Sequence, residues 1–212
     1  ALGDGNVFGG GGNMLKGNYT AGRVGGNTKI TMSDGLVKAS VYGGGRMALT
    51  GIDVNGEMYT TNSDDHGNTL VSISGGTVGN VDYMETNTSS SMGDVYGGGM
   101  GDMEGLTGHP AGSALLLALV KNTEVEITGT ARIYGKVYGG GEVANVGDYR
   151  WDTDPNTQTI SNIHLAAGGQ TKVTVSGGII GADRMRMDYT LAPDSYNLLY
   201  NTDVGHVFGG CE

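Results

Sequence analysis

The sequence predicts an all-β fold, a parallel β-solenoid (right-handed β-helix) with loop insertions, on three observations. An element Val-(Tyr/Phe)-Gly-Gly recurs five times, and strands of alternating character precede four of the copies. Glycine fills 42 of 212 positions, against an average usage of about 7%, with only 3 prolines. Collagen would need glycine at every third position and abundant proline, so the composition reads as short strands joined by tight turns.

The closing elements are Val7-Phe8-Gly9-Gly10, Val41-Tyr42-Gly43-Gly44, Val95-Tyr96-Gly97-Gly98, Val137-Tyr138-Gly139-Gly140 and Val207-Phe208-Gly209-Gly210. A third glycine follows the first four, and Cys211 takes its place after the last. They lie 34, 54, 42 and 70 residues apart, so a constant unit alternates with variable insertions near 46–67, 82–94, 100–121, 142–169 and 183–203. Solenoids accept insertions in this way, because a loop leaves a corner without disturbing the stack. Residues 1–212 therefore read as a single repeat segment. It opens inside a repeat and stops just after one, as a piece of a longer chain would.

The strands upstream begin at Thr28, Thr69, Thr123 and Thr171 and alternate with period two, which argues a half-buried strand. Thr28, Ile30 and Met32 face one side, and Lys29, Thr31 and Ser33 the other. A parallel stack then buries Ile30, Val71, Val125 and Val173 in one ladder and Val41, Val95, Val137 and Val207 in a second. Glycine is expected at the corners, where φ is positive or backbones approach closely. Phe8, Tyr42, Tyr96, Tyr138 and Phe208 read as a stacked column covering those corners rather than an outward aromatic strip. A propeller would need more strands per unit than these repeats offer.

A formal net charge of −10 and a pI near 4.7 argue against nucleic acid and anionic lipid as partners. The lone Cys211 excludes an internal disulfide. The apolar run 114–120 is far short of the roughly 20 residues that span a bilayer, so no membrane insertion is expected.

Candidate chemistry is sparse, and no catalytic residue is assigned. Gly43–Ala48 and Gly139–Ala144 fit the loose dinucleotide fingerprint G-x-G-x-x-A, yet no helical pattern follows either. Gly98–Asp102 approaches the calcium β-roll nonapeptide, but its aspartate comes one place early and the nine-residue period is missing. Asp64 and Asp65, with Asp152 and Asp154 in a later insertion, are the acidic groups from which a weak calcium site could draw, calcium being the one cofactor suggested. Solvated loop carboxylates are the simpler reading. His66, His109, His164 and His206 lack zinc-ligand spacing. Trp151, with Tyr149, offers a weak ligand-binding surface on which a sugar ring would stack, although anchoring of the insertion weighs more. The irregular outward positions, Lys29/Thr31, Leu70/Ser72, Glu124/Glu126 and Lys172/Thr174, do not make an ice-binding threonine array.

The pattern Asn-Thr-x-Val-x-Ile-x-Gly-Gly-x-Ile-x-x-x-Val-Tyr-Gly-Gly-Gly is clearest at 122–141 and 27–45. It resembles the VYGGG-type repeats of large surface or secreted adhesin-like proteins from gut Bacteroidetes and related anaerobes. The resemblance implies an extracellular or cell-surface rod with a structural or adhesive role. Its partners would be further repeats of the same parent chain and a host or bacterial surface glycan or protein. The alternative is a polysaccharide-binding or polysaccharide-cleaving β-helix using acidic residues of the insertions. Asp64, Asp65, Asp152, Asp154 and Asp183, with Arg184 or Arg186, would supply the groups, though nothing in the sequence brings them together.

Overall fold

The computed structural model describes residues 5–13, 21–51, 66–79, 93–102, 117–154, 156, 160–181, 185–187, 198–200 and 205–211. These residues form strands and turns, and none is helical. The fold is all-β and built on parallel sheets, as the period-two strands and glycine turns predict.

Each repeat supplies three strands. The first contributes β2 (Thr28–Met32), β3 (Leu36–Val37) and β4 (Val41–Tyr42), and the second β5 (Asn68–Ile73), β6 (Thr77–Val78) and β7 (Val95–Tyr96). The third contributes β8 (Asn122–Ile127), β9 (Arg132–Ile133) and β10 (Val137–Tyr138), and the fourth β13 (Thr171–Val175), β14 (Ile179–Ile180) and β17 (Val207–Phe208). A further closing strand, β1 (Val7–Phe8), precedes the first repeat. Strands of like position pair parallel in chain order, giving sheets β2-β5-β8-β13, β3-β6-β9-β14 and β1-β4-β7-β10-β17. Where the sequence predicts two ladders, the structure has three, because the short strand after each glycine turn is also paired.

Register is constant along each sheet. Thr28 lies opposite Thr69, Thr69 opposite Thr123, and Thr123 opposite Thr171; Ile30, Val71, Val125 and Val173 align in the same way. Val7, Val41, Val95, Val137 and Val207 form the closing ladder. A one-residue slip would turn every apolar side chain outward, so burial of one face holds the register. In β5, Thr69, Val71 and Ile73 are buried while the residues between them are half-exposed. Val71, Ile73, Val78, Val95, Val125, Ile127, Ile133 and Val137, drawn from all three sheets, meet in one cluster at 0% exposure. Each such side chain contributes about 1.5–3 kcal/mol on leaving water.

Further parallel pairing runs beyond the closing glycines. Isolated parallel bridges join Gly12 to Arg46, Arg46 to Met100 and Met100 to Glu142, and others join Val24 to Thr50 and Val120 to Val146. Residues at the margins of the expected insertions thus take part in the stack. Within the insertions, β11 (Gly147–Thr153) and β12 (Ile160–Gly168) form one antiparallel hairpin, and β15 (Met185–Met187) and β16 (Leu198–Tyr200) another.

The glycines of the closing element are there for close approach, not for unusual φ. A Cβ on Gly43, Gly97 or Gly139 would fall closer than 3.0 Å to the carbonyl oxygen of the equivalent glycine in the next repeat. None of the three has a positive φ. Of the two reasons the sequence allows, backbone crowding is the one that operates at this corner.

Candidate functional site

Chemistry-bearing side chains gather in ladders along the stack and on the β11–β12 hairpin. One ladder is threonine. Thr28, Thr69, Thr123 and Thr171 stand at or one residue after the start of their repeat's first strand and donate the hydroxyl to the first closing-glycine carbonyl of the same repeat, Gly43, Gly97, Gly139 and Gly209. These bonds tie the first sheet to the glycines that follow the closing strands. One residue earlier runs an amide ladder. Asn27 Oδ1 accepts the Asn68 N–H at 2.9 Å, Asn122 Nδ2 donates to Asn68 Oδ1 at 2.8 Å, and Asn122 Oδ1 accepts the Gln170 N–H at 2.9 Å. Amide ladders of this kind strengthen in-register parallel stacks.

The closing sheet carries the aromatic column. Phe8, Tyr42, Tyr96, Tyr138 and Phe208 stack ring on ring, with centroids 4.8, 4.9, 4.8 and 5.0 Å apart and planes within 12°. The three tyrosines are buried, which is the stacked reading of the sequence. Two of their hydroxyls meet carboxylates. Tyr42 donates to Glu142 Oε2, and Tyr96 OH lies 3.5 Å from Asp94 Oδ2. Burial, followed by the negative charge of Glu142, holds the Tyr42 phenol far above its ordinary range. Asp94 is 3% exposed, and its Oδ1 accepts the Lys136 N–H at 2.6 Å. Its own N–H goes to Ser40 Oγ at 3.1 Å, while the Ser40 N–H goes to Asn6 Oδ1 at 2.8 Å. Sequence reasoning does not single out Asp94 or Glu142. Neither residue type recurs at its position in the other repeats, where Ser40 and Lys136 stand in place of Asp94, and Arg46 and Met100 in place of Glu142.

The hairpin positions the candidate ligand residues. Trp151 is 8% exposed and packs with Leu49, Leu117 and Leu119, with Met47, Tyr149 and Ile163 at the edge of that cluster. Tyr149 is half-buried. Trp151 therefore anchors the hairpin to the stack, and its ring faces protein rather than solvent. Outward residues are different ones. Arg150 lies opposite His164, Asp152 accepts from Asn162 Nδ2 at 2.7 Å, and Leu165 is 53% exposed. Asp154, also exposed, accepts the Asn156 N–H at 2.7 Å in a tight local turn.

Asp64, Asp65, Asp183 and Arg184 lie outside the described residues, and so does the side chain of Arg186. Among the described residues, no group of three or more His, Cys, Asp or Glu is arranged to hold a metal ion, and no helix is long and apolar enough to cross a membrane. Asp148, at the root of the hairpin, is 8% exposed, and its Oδ1 has no hydrogen-bond partner among the described residues. One such oxygen falls well short of the six to eight that calcium takes. On the exposed outer face of the first sheet, Lys172 Nζ meets Glu124 Oε1 at 2.5 Å. The hydrogen bond and then the charge of Glu124 hold the Lys172 ammonium above its ordinary pKa.

Compared with known proteins, the chain matches no family model, no curated protein and no solved structure. The functional reading therefore rests on geometry and on the repeat signature of the chain itself.

Proposed function

We propose that this chain is a β-solenoid segment of a bacterial extracellular surface protein, acting as a stalk or adhesive module. The observation that carries the reading is the constant register of four repeats through three parallel sheets, with variation confined to the stretches between them. Repetition in the core and irregularity outside it is how a rod presents different loops on a uniform shaft. The repeat signature at 27–45 and 122–141, like that of adhesin-like surface proteins, points the same way. Further repeats of the parent chain are its first partners. The outward hairpin residues Arg150, Asp152 and His164 are the surface for a host or bacterial glycan or protein.

The test has two arms. Small-angle scattering should give a rod whose cross-section stays constant when repeats are added. On a glycan array, an adhesive module gives specific binding that weakens on Arg150→Ala or His164→Ala, whereas a pure stalk gives none. Turnover of any polysaccharide that disappears with Asp152→Asn would replace the proposal with the polysaccharide-cleaving alternative.

A further inference from the structure

We propose that β12 is a self-pairing edge: two copies of this chain join antiparallel along residues 163–168, closing their hairpins into one four-stranded sheet. Such pairing is independent of whether the chain is a stalk or an adhesive module.

The hairpin leaves the stack between the third and fourth repeats, so its edges are not ends of the stack. Among the described residues, β11 pairs only with β12 and β12 only with β11. Two antiparallel strands make a marginal sheet, and three or more are needed for independent stability. The two strands are protected very differently. β11 carries Asp148, Arg150 and Asp152, and its Trp151 is buried against Leu49, Leu117 and Leu119. In β12, by contrast, no residue is Asp, Glu, Lys or Arg, and none occurs anywhere in 155–171. Edge strands are normally blunted by charges, prolines or bulges. β12 has a bulge at Asn162, where φ is 49 and the register with β11 shifts between Arg150 and Asp152. His164 Nδ1 lies 3.1 Å from the Asn162 carbonyl oxygen, so that acceptor is engaged within its own strand. Past the bulge, residues 163–168 have neither charge nor proline.

Exposure follows the same boundary. His164, Leu165, Ala166, Ala167 and Gly168 are all exposed, and they cover both faces of the strand. Leu165 lies opposite Tyr149, on the side of the hairpin that packs on the stack, yet it is 53% exposed. A two-fold axis normal to the sheet keeps each side chain on its own face when the strand meets its copy. With the axis at Leu165, that residue meets its own copy, His164 meets Ala166, and Ile163 meets Ala167. The half-exposed leucines then cover each other.

Charge selects a second copy over a charged partner. The chain carries a net −10, so most contacts between two copies set acid against acid. This edge brings no acid to the contact, and no side chain of 163–168 is a fixed charge that could recognise an ionic partner. The contact is small, so the dimer is weak and forms at high protein concentration.

Sedimentation equilibrium and amide hydrogen exchange on the whole protein test the pairing. Reversible monomer–dimer behaviour is expected, and it should strengthen with salt, which screens two acidic bodies from each other. In the unmodified chain, exchange at 163–168 should slow as concentration rises, a readout that needs no variant to fold. Leu165→Lys sets two lysines across the axis and should raise the dimer Kd at least about tenfold. Leu165→Glu should do the same, and an equimolar mixture of the two variants should recover association. Unchanged Trp151 emission in both shows that the hairpin stays docked. A chain that remains monomeric up to about 1 mM overturns the proposal. So does a dimer that ignores both Leu165 variants and gains its protection at 28–37 or 171–180, the ends of the stack.

Discussion

Thr123 donates its hydroxyl to the carbonyl oxygen of Gly139, sixteen residues further along the same repeat. The bond is buried and joins the first sheet to the glycine that follows the closing strand. Three other repeats make the same contact, so the first sheet and the closing glycines are fastened at each level. Replacing Thr123 by Val keeps the shape and strands the carbonyl. The expected cost is about 1–3 kcal/mol in chemical denaturation, with Thr123→Ser recovering most of it.

Crowding at the closing glycines gives a second expectation. Gly97→Ala puts a methyl group against the Gly139 carbonyl and the Thr123 side chain, so a whole repeat must shift. Gly140→Val meets Cys211, backbone included. Both should lower Tm sharply, by several degrees or more. Gly12→Ala is the control, because a Cβ there would have nothing within 4 Å and its φ is not positive. Its Tm should stay within a degree or two.

Alkaline pH should weaken the fold through Tyr42. Its phenol is held neutral by burial and by Glu142, so its pKa in the folded protein lies above the unfolded value of about 10. The unfolded chain loses this proton first as pH rises. Stability from this group is therefore fully present below about pH 10 and lost progressively above it. Ultraviolet titration should show a tyrosine fraction that ionises only together with loss of the β-type circular dichroism. Tyr42→Phe should flatten this alkaline decline while leaving the ring stack in place.

Trp151 is the only tryptophan, which makes hairpin docking directly observable. Its burial among Leu49, Leu117 and Leu119 predicts blue-shifted emission and poor quenching by acrylamide. Trp151→Ala should cost about 3–5 kcal/mol if the hairpin unfolds together with the stack. An early, separate fluorescence transition would show instead that the hairpin melts independently of the sheets.

The sequence by itself determined the first and the closing strand of each repeat, their inward and outward faces, and the residues that align between repeats. It could do so because period-two alternation and a repeated closing element are local signals, and parallel stacking carries each local choice to the same place in the next repeat. The middle strands and the hairpins it did not determine. Thr28, Thr69, Thr123 and Thr171 could be aligned on the page, and so could the five aromatic rings. Only the tertiary structure decided what those alignments do. That Thr123 reaches Gly139, that Gly97 is squeezed by a neighbouring carbonyl, and that Tyr42 meets Glu142 one hundred residues away are contacts between sheets and between repeats. Period-two alternation shows which face a side chain takes but not which atom it meets across sheets, and for Tyr42 and Glu142 insertions of differing length also intervene. Trp151 makes the same point for the candidate site. Its residue type fits both sugar stacking and loop anchoring, and the apolar partners supplied by distant Leu49 and Leu117 make it an anchor.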